Sequence, residues 1–360
     1  MKGIRIGIIG AGNCASNLIQ GLFYYKKVKS NELIPGLMHP LLGGYKISDI
    51  KIVSAFDIDS RKVGKDLSEA IIQEPNNTVK IADVPKLNVP ILKGIILDGI
   101  GKYMTGIVNT DDKQEPVNIS KELQDSGTEI LINFLPVGSE KATRFYASEA
   151  LKAGCAFLNA IPEFIASDEK WAKKFERTKL PIIGDDTKGA IGATILHRTL
   201  TKLCQDRGVT IDRTYQLNFG GNTDFYNMLE RERLKSKKIS KTEAVQSQMI
   251  KRLLDEKIHI GPSDFVPWLE SRKIAYVRIE GKLFSDVPFN IEARLDVEDK
   301  ANSSGVIVDA IRCLQLALDR KIGGPLISAS AYFCKHPPIQ MSDDEARKKL
   351  EMFINGEIRG

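Results

Sequence analysis

Residues 3–15 read GIRIGIIGAGNCA. The first eight form an apolar run, broken only by Arg5 and rich in β-branched side chains, of the kind that a parallel sheet buries on both faces. A glycine turn follows, and residues 15–25 resume helical spacing. Within the turn, Gly10-Ala11-Gly12-Asn13-Cys14-Ala15 fits G-x-G-x-x-G/A. It does so between a strand and a helix, the context that gives the motif its meaning. In such a loop Gly10 permits the tight turn and Gly12 lets the backbone approach a pyrophosphate. Ala15 allows close helix–strand packing, and the N–H groups of the helix start face the anion. A dinucleotide site at Gly10, Gly12, Asn13, Cys14 and Ala15 is therefore expected.

Working outward, residues 51–57 (KIVSAFD) read as a second strand that ends in Asp57. An acid there accepts hydrogen bonds from a ribose diol, which favours NAD over NADP. Asp59 is the rival for this role. The acid lies farther from the loop than the usual ~20 residues. Residues 26–49, with Pro35 and Pro40, hold the excess and read as an insertion loop, as do residues 76–102. Residues 61–73 have helical spacing. Residues 129–134, 156–159 and 180–184 read as further strands, and 139–153 as a helix closed by Gly154. Strands alternating with helices predict an α/β fold with a Rossmann-like, doubly wound parallel sheet.

Residues 213–219, 274–279 and 289–297 are longer and partly alternating, with few helices between them. They predict a second, α+β domain with a mixed sheet. Residues 306–318 return to helix. The expected division is 1–195 with 305–360 for the NAD-binding domain and 196–304 for the second domain.

Hydrophobic residues make up 42% and charged residues 27% of the 360, which excludes long disorder, collagen repeats and coiled-coil arrays. The longest apolar runs fall short of the roughly 18 residues of a membrane span. The N-terminal run carries Arg5 and turns straight into glycines, unlike a signal peptide. A cytoplasmic protein without a membrane partner is expected. Five cysteines, an odd number without C-x-x-C, read as free buried thiols. None of His39, His197, His259 and His336 forms H-x-x-x-H, so no histidine zinc site is indicated, and His197 reads as a core residue. The net charge of +6 suits nucleic acid or an anionic small molecule. The lysines gather at residues 235–241 and no nucleic-acid-binding motif occurs, which favours the small molecule.

In RLKSKKISK, Lys237 and Lys241 are an i,i+4 pair if the segment is helical. Taken alone, such a run is a solvated basic helix. Just upstream, residues 218–224 (NFGGNTD) look like a strand ending at a cleft edge. Lysines beside such an edge can hold a phosphate or protonate a carbonyl oxygen. Base work requires burial or neighbouring cations to lower the ordinary lysine pKa of about 10.4. Residues 184–192 (GDDTKGAIG) form a second glycine loop before a helix, which is either a phosphate site or a capped helix start. Asp299, Lys273 and Lys335 carry no signal on their own.

Several long segments, in order, carry a resemblance. They are GNCAS at 12–16, PGLMHP at 35–40, NNTVKIADVP at 76–85, LDGIGKY at 97–103 and LPVGSE at 135–140. GDDTK at 184–188, NFGGNTDF at 218–225 and SKKISK at 236–241 complete the set. The chain resembles the short prokaryotic form of the myo-inositol-1-phosphate synthases over residues 4–338. That resemblance implies a redox-neutral conversion of glucose 6-phosphate into 1L-myo-inositol 1-phosphate. Its steps are oxidation at C5 by bound NAD, enolisation at C6, aldol closure onto C1, and reduction by the same NADH. It implies that Lys237, Lys273 and Lys335 act on the sugar with Asp186, Asp224 and Asp299 nearby. It places the substrate phosphate at Gly189, Ala190, Ile191, Gly192 and Lys241. It also implies a homotetramer built on the mixed sheet. Members of the family differ in using a divalent or a monovalent cation; Asp224 and Asp299 are the candidate ligands in this chain, and no spacing selects an ion. The rivals are a net NAD-dependent oxidoreductase of a phosphorylated or acidic substrate, and a nonenzymatic protein that senses NAD or binds nucleic acid.

Overall fold

A computed structural model describes residues 3–29, 32–110, 114–261 and 264–360. The opening apolar run becomes β1 (Ile4–Ile9), in which every residue but Arg5 is buried. With β2 (Ile50–Asp57), β3 (Ile91–Lys93), β4 (Ile130–Asn133), β5 (Ala156–Asn159) and β6 (Pro181–Ile183) it builds a parallel sheet in the order β3-β2-β1-β4-β5-β6. That is the dinucleotide-binding order, reversing direction beside β1, where a crevice opens at the strands' C-terminal ends.

Successive side chains of each strand serve opposite faces. Ile130, Ile132 and Leu158 join the core under the helices Asn13–Tyr24 (α1) and Ala301–Asp319, while Leu131 and Phe157 join the core under Glu140–Ala153 (α2). Both faces are therefore covered, which is why the strands are apolar without alternation. Gly154 ends α2 in the left-handed conformation at φ 79°, where a Cβ is unfavourable.

The helix α3 (Ala193–Asp206) leads into the second sheet. Its strands are β7 (Thr210–Gly220), β8 (Ile258–Ile260), β9 (Asp264–Phe265), β10 (Arg272–Lys282) and β11 (Pro288–Glu298). β10 pairs antiparallel with β7 and β11, whereas β8 and β9 run parallel to β7, so the sheet is mixed. Two helices hang between its strands, α4 (Thr223–Asn227) and α5 (Lys235–Gln246). The chain returns through α6 (Ala301–Asp319), which packs on α1, and β12 (Gly324–Pro325) extends the first sheet beside β6. No helix among the described residues is long and apolar enough to cross a membrane.

Three expectations need correction. Of residues 61–73 only Leu67–Ala70 is helical, because Gly64 at φ 85° turns the chain and Asp66 caps a new start by accepting from Ser68 N. Residues 76–102 are not wholly an insertion: they contain β3, whose three residues follow Pro90 and are too few to show a period. Residues 26–49 include a small ribbon, Leu41–Leu42 against Tyr45–Lys46, and residues 30 and 31 of this loop lie outside the described residues. The cysteines are all free; four are buried and Cys14 is half-buried.

Candidate active site

One cavity of about 300 Å³ lies where the C-terminal ends of the first sheet meet the ends of β7, β10 and β11. At one end is the glycine loop. Gly10 has φ +87°, which an L side chain rarely adopts, and a Cβ there would meet the Phe134 carbonyl oxygen at 3.1 Å. A Cβ on Gly12 would meet nothing within 4 Å. It would instead project into open space beside the loop. Helix α1 starts at Gly12 with no side-chain cap and no acid in its first turn, so its N–H groups await an acceptor. Gly10, Gly12, Asn13 and Cys14 line the cavity, while Ala15 is wholly buried in the packing behind them. The Asn13 side chain binds back to residues 76–102, donating to Asn77 Oδ1 (2.9 Å) and accepting from Asn77 N (2.8 Å).

Asp57 also lines the cavity. Its Oδ2 accepts from Ala11 N at 2.7 Å and its Oδ1 from Ile58 N and Asp59 N, so the carboxylate is oriented by the loop it serves. Asp59 is tied to Arg61, whose Nε and Nη2 lie 2.9 and 2.5 Å from its two oxygens. Among the described residues, Asp57 is thus the one of the two acids whose carboxylate is held by backbone N–H groups and not by a cation. Lys62, unremarked in the sequence, is buried beneath the loop and donates to Ala11 O and Asn76 Oδ1, both at 3.0 Å.

At the other end the lysines and aspartates converge. Lys237, Lys241, Lys273 and Lys335 line the cavity, with Asp186, Asp224 and Asp299 among them. Helix α5 puts Lys237 and Lys241 one turn apart and buries both. Lys237 Nζ is 2.9 Å from Asp224 Oδ2. Lys335 Nζ is 2.7 Å from Asp186 Oδ1, and Ser240 donates to Asp186 Oδ2 at 2.6 Å. Lys273, on β10, is 3.4 Å from Asp299 Oδ1.

The two halves of Asp185-Asp186 do different work. Asp185 accepts from Asn159, from the N–H groups of Ile165, Ala166 and Ser167, and from the Ser167 hydroxyl, so it anchors the loop. Asp186 has φ +63°, a strained setting for a residue with a Cβ, and faces the lysines.

The electrostatics separate the lysines. Burial lowers Lys241 and the ammonium groups of Lys237, Lys273 and Lys335 lower it further, to well below its ordinary value. Among the described residues no group accepts a hydrogen bond from Lys241 Nζ. Burial also lowers Lys273, although Asp299 opposes it. Burial pushes Asp186 and Asp224 up, but the neighbouring ammonium groups outweigh it and hold both carboxyls below their usual range.

The second glycine loop divides. Gly189 and Gly192 line the cavity, whereas Ala190 and Ile191 do not. Ala190 N donates to Asn302 O (2.7 Å) and Ile191 N to Asn302 Oδ1 (2.9 Å), so these two N–H groups are already engaged. Of the loop expected at the phosphate, these two residues therefore present no unpartnered backbone donor. The open donors lie one step on: α3 starts at Gly192 without a side-chain cap, and Ala193, Thr194 and Ile195 face the cavity.

Sequence reading missed Asn302, Asn222 and Lys300. Asn222 caps α4 and donates to Asp299 Oδ2 at 3.3 Å. Lys300 Nζ lies 3.0 Å from the same oxygen. NTD and EDKANS carried a local cue only in their density of amides and acids. His197 is a core residue, bonded to Thr214 Oγ1 at 2.8 Å and held down to about 4 by burial.

The model of a family described as myo-inositol-1-phosphate synthase matches residues 192–300. An inositol-3-phosphate synthase of Mycolicibacterium smegmatis is 56% identical over 357 residues, covering 98% of both chains. One from Mycobacterium tuberculosis is 55% identical over 353 residues, 98% of this chain and 96% of that one. The solved structure of a myo-inositol-1-phosphate synthase-related protein from Thermotoga maritima superposes with a TM-score of 0.77 at 23% identity, covering 98% of each chain, and shares the fold. With relatives this similar over almost its whole length, the chain belongs to the myo-inositol-1-phosphate synthase family.

Proposed function

We propose that the chain is a cytoplasmic enzyme that cyclises D-glucose 6-phosphate to 1L-myo-inositol 1-phosphate with bound NAD. The observation that carries this reading is a single cavity with two uncapped helix N-termini, at Gly12 and at Gly192, separated by interleaved lysines and aspartates. Such a cavity suits two anionic groups held on either side of a reacting carbon skeleton.

The N–H groups at the start of α1 bind the dinucleotide pyrophosphate, with Gly10, Gly12, Asn13 and Cys14 against it and Asp57 on the adenine ribose. Bound NAD supplies a reversible hydride acceptor for the C5 carbinol. Gly189, Gly192, the first N–H groups of α3 and Lys241 hold the sugar phosphate. Lys273, kept below its ordinary pKa mainly by burial, takes the C6 proton. Lys237 and Lys335, each fixed by an aspartate, stabilise the enolate and then the aldol oxyanion. Asp186, Asp224 and Asp299 orient these ammonium groups. The product has the same atoms and oxidation level as the substrate.

On this reading residues 1–195 and 305–360 form the cofactor domain, and 196–304 the catalytic and oligomerisation domain. The outer face of the second sheet carries exposed Tyr215 and exposed Tyr276, the latter stacked on the half-buried Phe219, which supports assembly through this face into a homotetramer. The deciding experiment incubates the purified protein with glucose 6-phosphate and NAD. Inositol phosphate should form with no stoichiometric NADH in solution; NADH accumulating one-for-one with product would mean a net oxidoreductase.

A further inference from the structure

Lys300 is the first residue after the acid that follows β11, and its side chain turns into the cavity instead of solvent. Its ammonium group donates to Asp299 Oδ2 at 3.0 Å and is close enough to Asp224 and to Cys14 of the dinucleotide loop to interact with both. Asp299 Oδ1 faces Lys273 at 3.4 Å, and Oδ2 also accepts from Asn222. Asp224 Oδ2 is occupied by Lys237. Both carboxylates that were candidate metal ligands are thus engaged by ammonium groups.

A divalent ion does not fit this donor set. Mg²⁺ demands near-octahedral oxygen coordination and Ca²⁺ more ligands still. Among the described residues no three His, Cys, Asp or Glu side chains come together to hold a metal. A metal at Asp299 would also stand against two lysine charges, within contact distance of the same carboxylate.

We propose that Lys300 is a built-in cation, occupying the position between Asp224, Asp299 and the dinucleotide loop that a bound metal or potassium ion would otherwise fill. It supplies a fixed positive charge where the cofactor end of the cavity meets the substrate end. It therefore makes turnover independent of added divalent or monovalent cations. Lys273 remains free of that duty, because Asp299 is shared between the two lysines through different oxygens.

This inference rests on the proposed cyclisation, but its test does not depend on activity alone. The full-length protein, saturated with NAD and treated with chelator, is titrated with Mn²⁺ and followed by electron paramagnetic resonance. Wild type should take up no stoichiometric Mn²⁺, and chelation should leave inositol phosphate formation unchanged in a potassium-free buffer. Lys300→Met should lose roughly 10²-fold in turnover, recover part of it with Mn²⁺ or K⁺, and bind Mn²⁺ where wild type does not. Lys300→Arg, which keeps the charge, should stay cation-independent. Stoichiometric Mn²⁺ on wild type, or turnover that collapses on chelation or in potassium-free buffer, overturns the proposal. So does Lys300→Met turning over like wild type without any cation. If Lys300→Met does not fold, the wild-type titration and the Arg variant still decide. Absence of any glucose 6-phosphate turnover would strike the cyclisation reading, while the Mn²⁺ titration would continue to report on Lys300.

Discussion

Lys241 offers the sharpest test of the substrate end. It is buried, surrounded by Lys237, Lys273 and Lys335, and has no hydrogen-bond acceptor of its own among the described residues. In the free protein its proton is therefore held weakly, and between its lowered pKa and the ordinary 10.5 the side chain is largely neutral. A sugar phosphate, already a dianion above its second pKa of about 6, supplies the missing counter-charge. Binding should raise the Lys241 pKa and draw up to one proton from solvent. Calorimetry of glucose 6-phosphate binding to the NAD-loaded protein, in buffers of different ionisation enthalpy at a series of pH values below 10.5, reads this uptake directly. The Lys241→Arg variant, charged at all working pH values, should lose the Lys241 share, so any part due to Lys273 remains as background. A hydrogen bond to a charged group contributes about 1.5–3 kcal/mol, so Lys241→Ala should weaken sugar-phosphate binding roughly 10- to 150-fold. Unchanged affinity in Lys241→Ala, or identical proton uptake in wild type and Lys241→Arg, would refute the assignment.

Three more outcomes follow from the geometry. Asp57→Ala should weaken NAD by about tenfold while leaving the already weak NADP binding almost unchanged; fluorescence titration with both cofactors checks this, and equal losses would remove Asp57 from the ribose. Lys237→Ala should lower turnover by roughly 10²–10³-fold with NAD binding and melting temperature intact; near-normal turnover would defeat the proposed cyclisation mechanism. Glu163 is raised from 4.5 to about 7, chiefly by burial, and accepts from Gly138 N and Ser236 Oγ on the same oxygen. Because the folded state holds this proton more tightly than the unfolded chain, stability contributed at low pH is lost as pH rises through 7. Glu163→Gln keeps the accepting oxygen and should gain about 2 kcal/mol over wild type at pH 8, after allowance for solvent screening, with little difference at pH 4; melting curves at both values test it.

The Rossmann half was legible because its signals are local. β1, β4, β5 and the Gly154 cap each declare themselves within a few residues through an apolar run or a glycine that must turn left-handed. β3 was not legible, since three residues show no period and the strand forms only because Asp66 and Gly64 bring it back beside β2. β8 and β9 are short in the same way and exist as partners of β7. Site residues divide on a similar line. Gly10 and Gly12 could be read from spacing, and Asp57 only from its place at the end of a strand, since its distance from the loop departs from the usual spacing. Lys273, Lys335 and Asp299 came only from resemblance, because each looks like an ordinary surface residue until tertiary packing turns it inward. Asn302 escaped notice for that reason, and with it the fact that two of the four N–H groups of the 189–192 loop were already spent.

The distribution of partners explains how so many lysines share one small cavity. Lys237 and Lys335 each have an aspartate oxygen within 3 Å, and Lys273 and Lys300 divide Asp299 between them. Each aspartate is in turn oriented by a neighbour: Ser240 for Asp186, Asn222 for Asp299, and the capped start of α4 for Asp224. On the proposed mechanism this arrangement puts ammonium groups where an enolate or alkoxide would be stabilised. Lys241 is excluded from this pairing, and burial and the neighbouring ammonium groups lower its pKa well below the ordinary lysine value although Asp186 opposes them, so an incoming anion would strengthen its hold on the proton. On the proposed function, Lys241 beside the uncapped start of α3 takes the phosphate and the paired ammonium groups are left for the chemistry. Chain position has little to do with this difference: Lys237 and Lys241 are one helical turn apart, and what separates them is that Asp224 pairs with the first while, among the described residues, no carboxylate lies within ion-pairing distance of the second and Asp186 acts on it only from farther away.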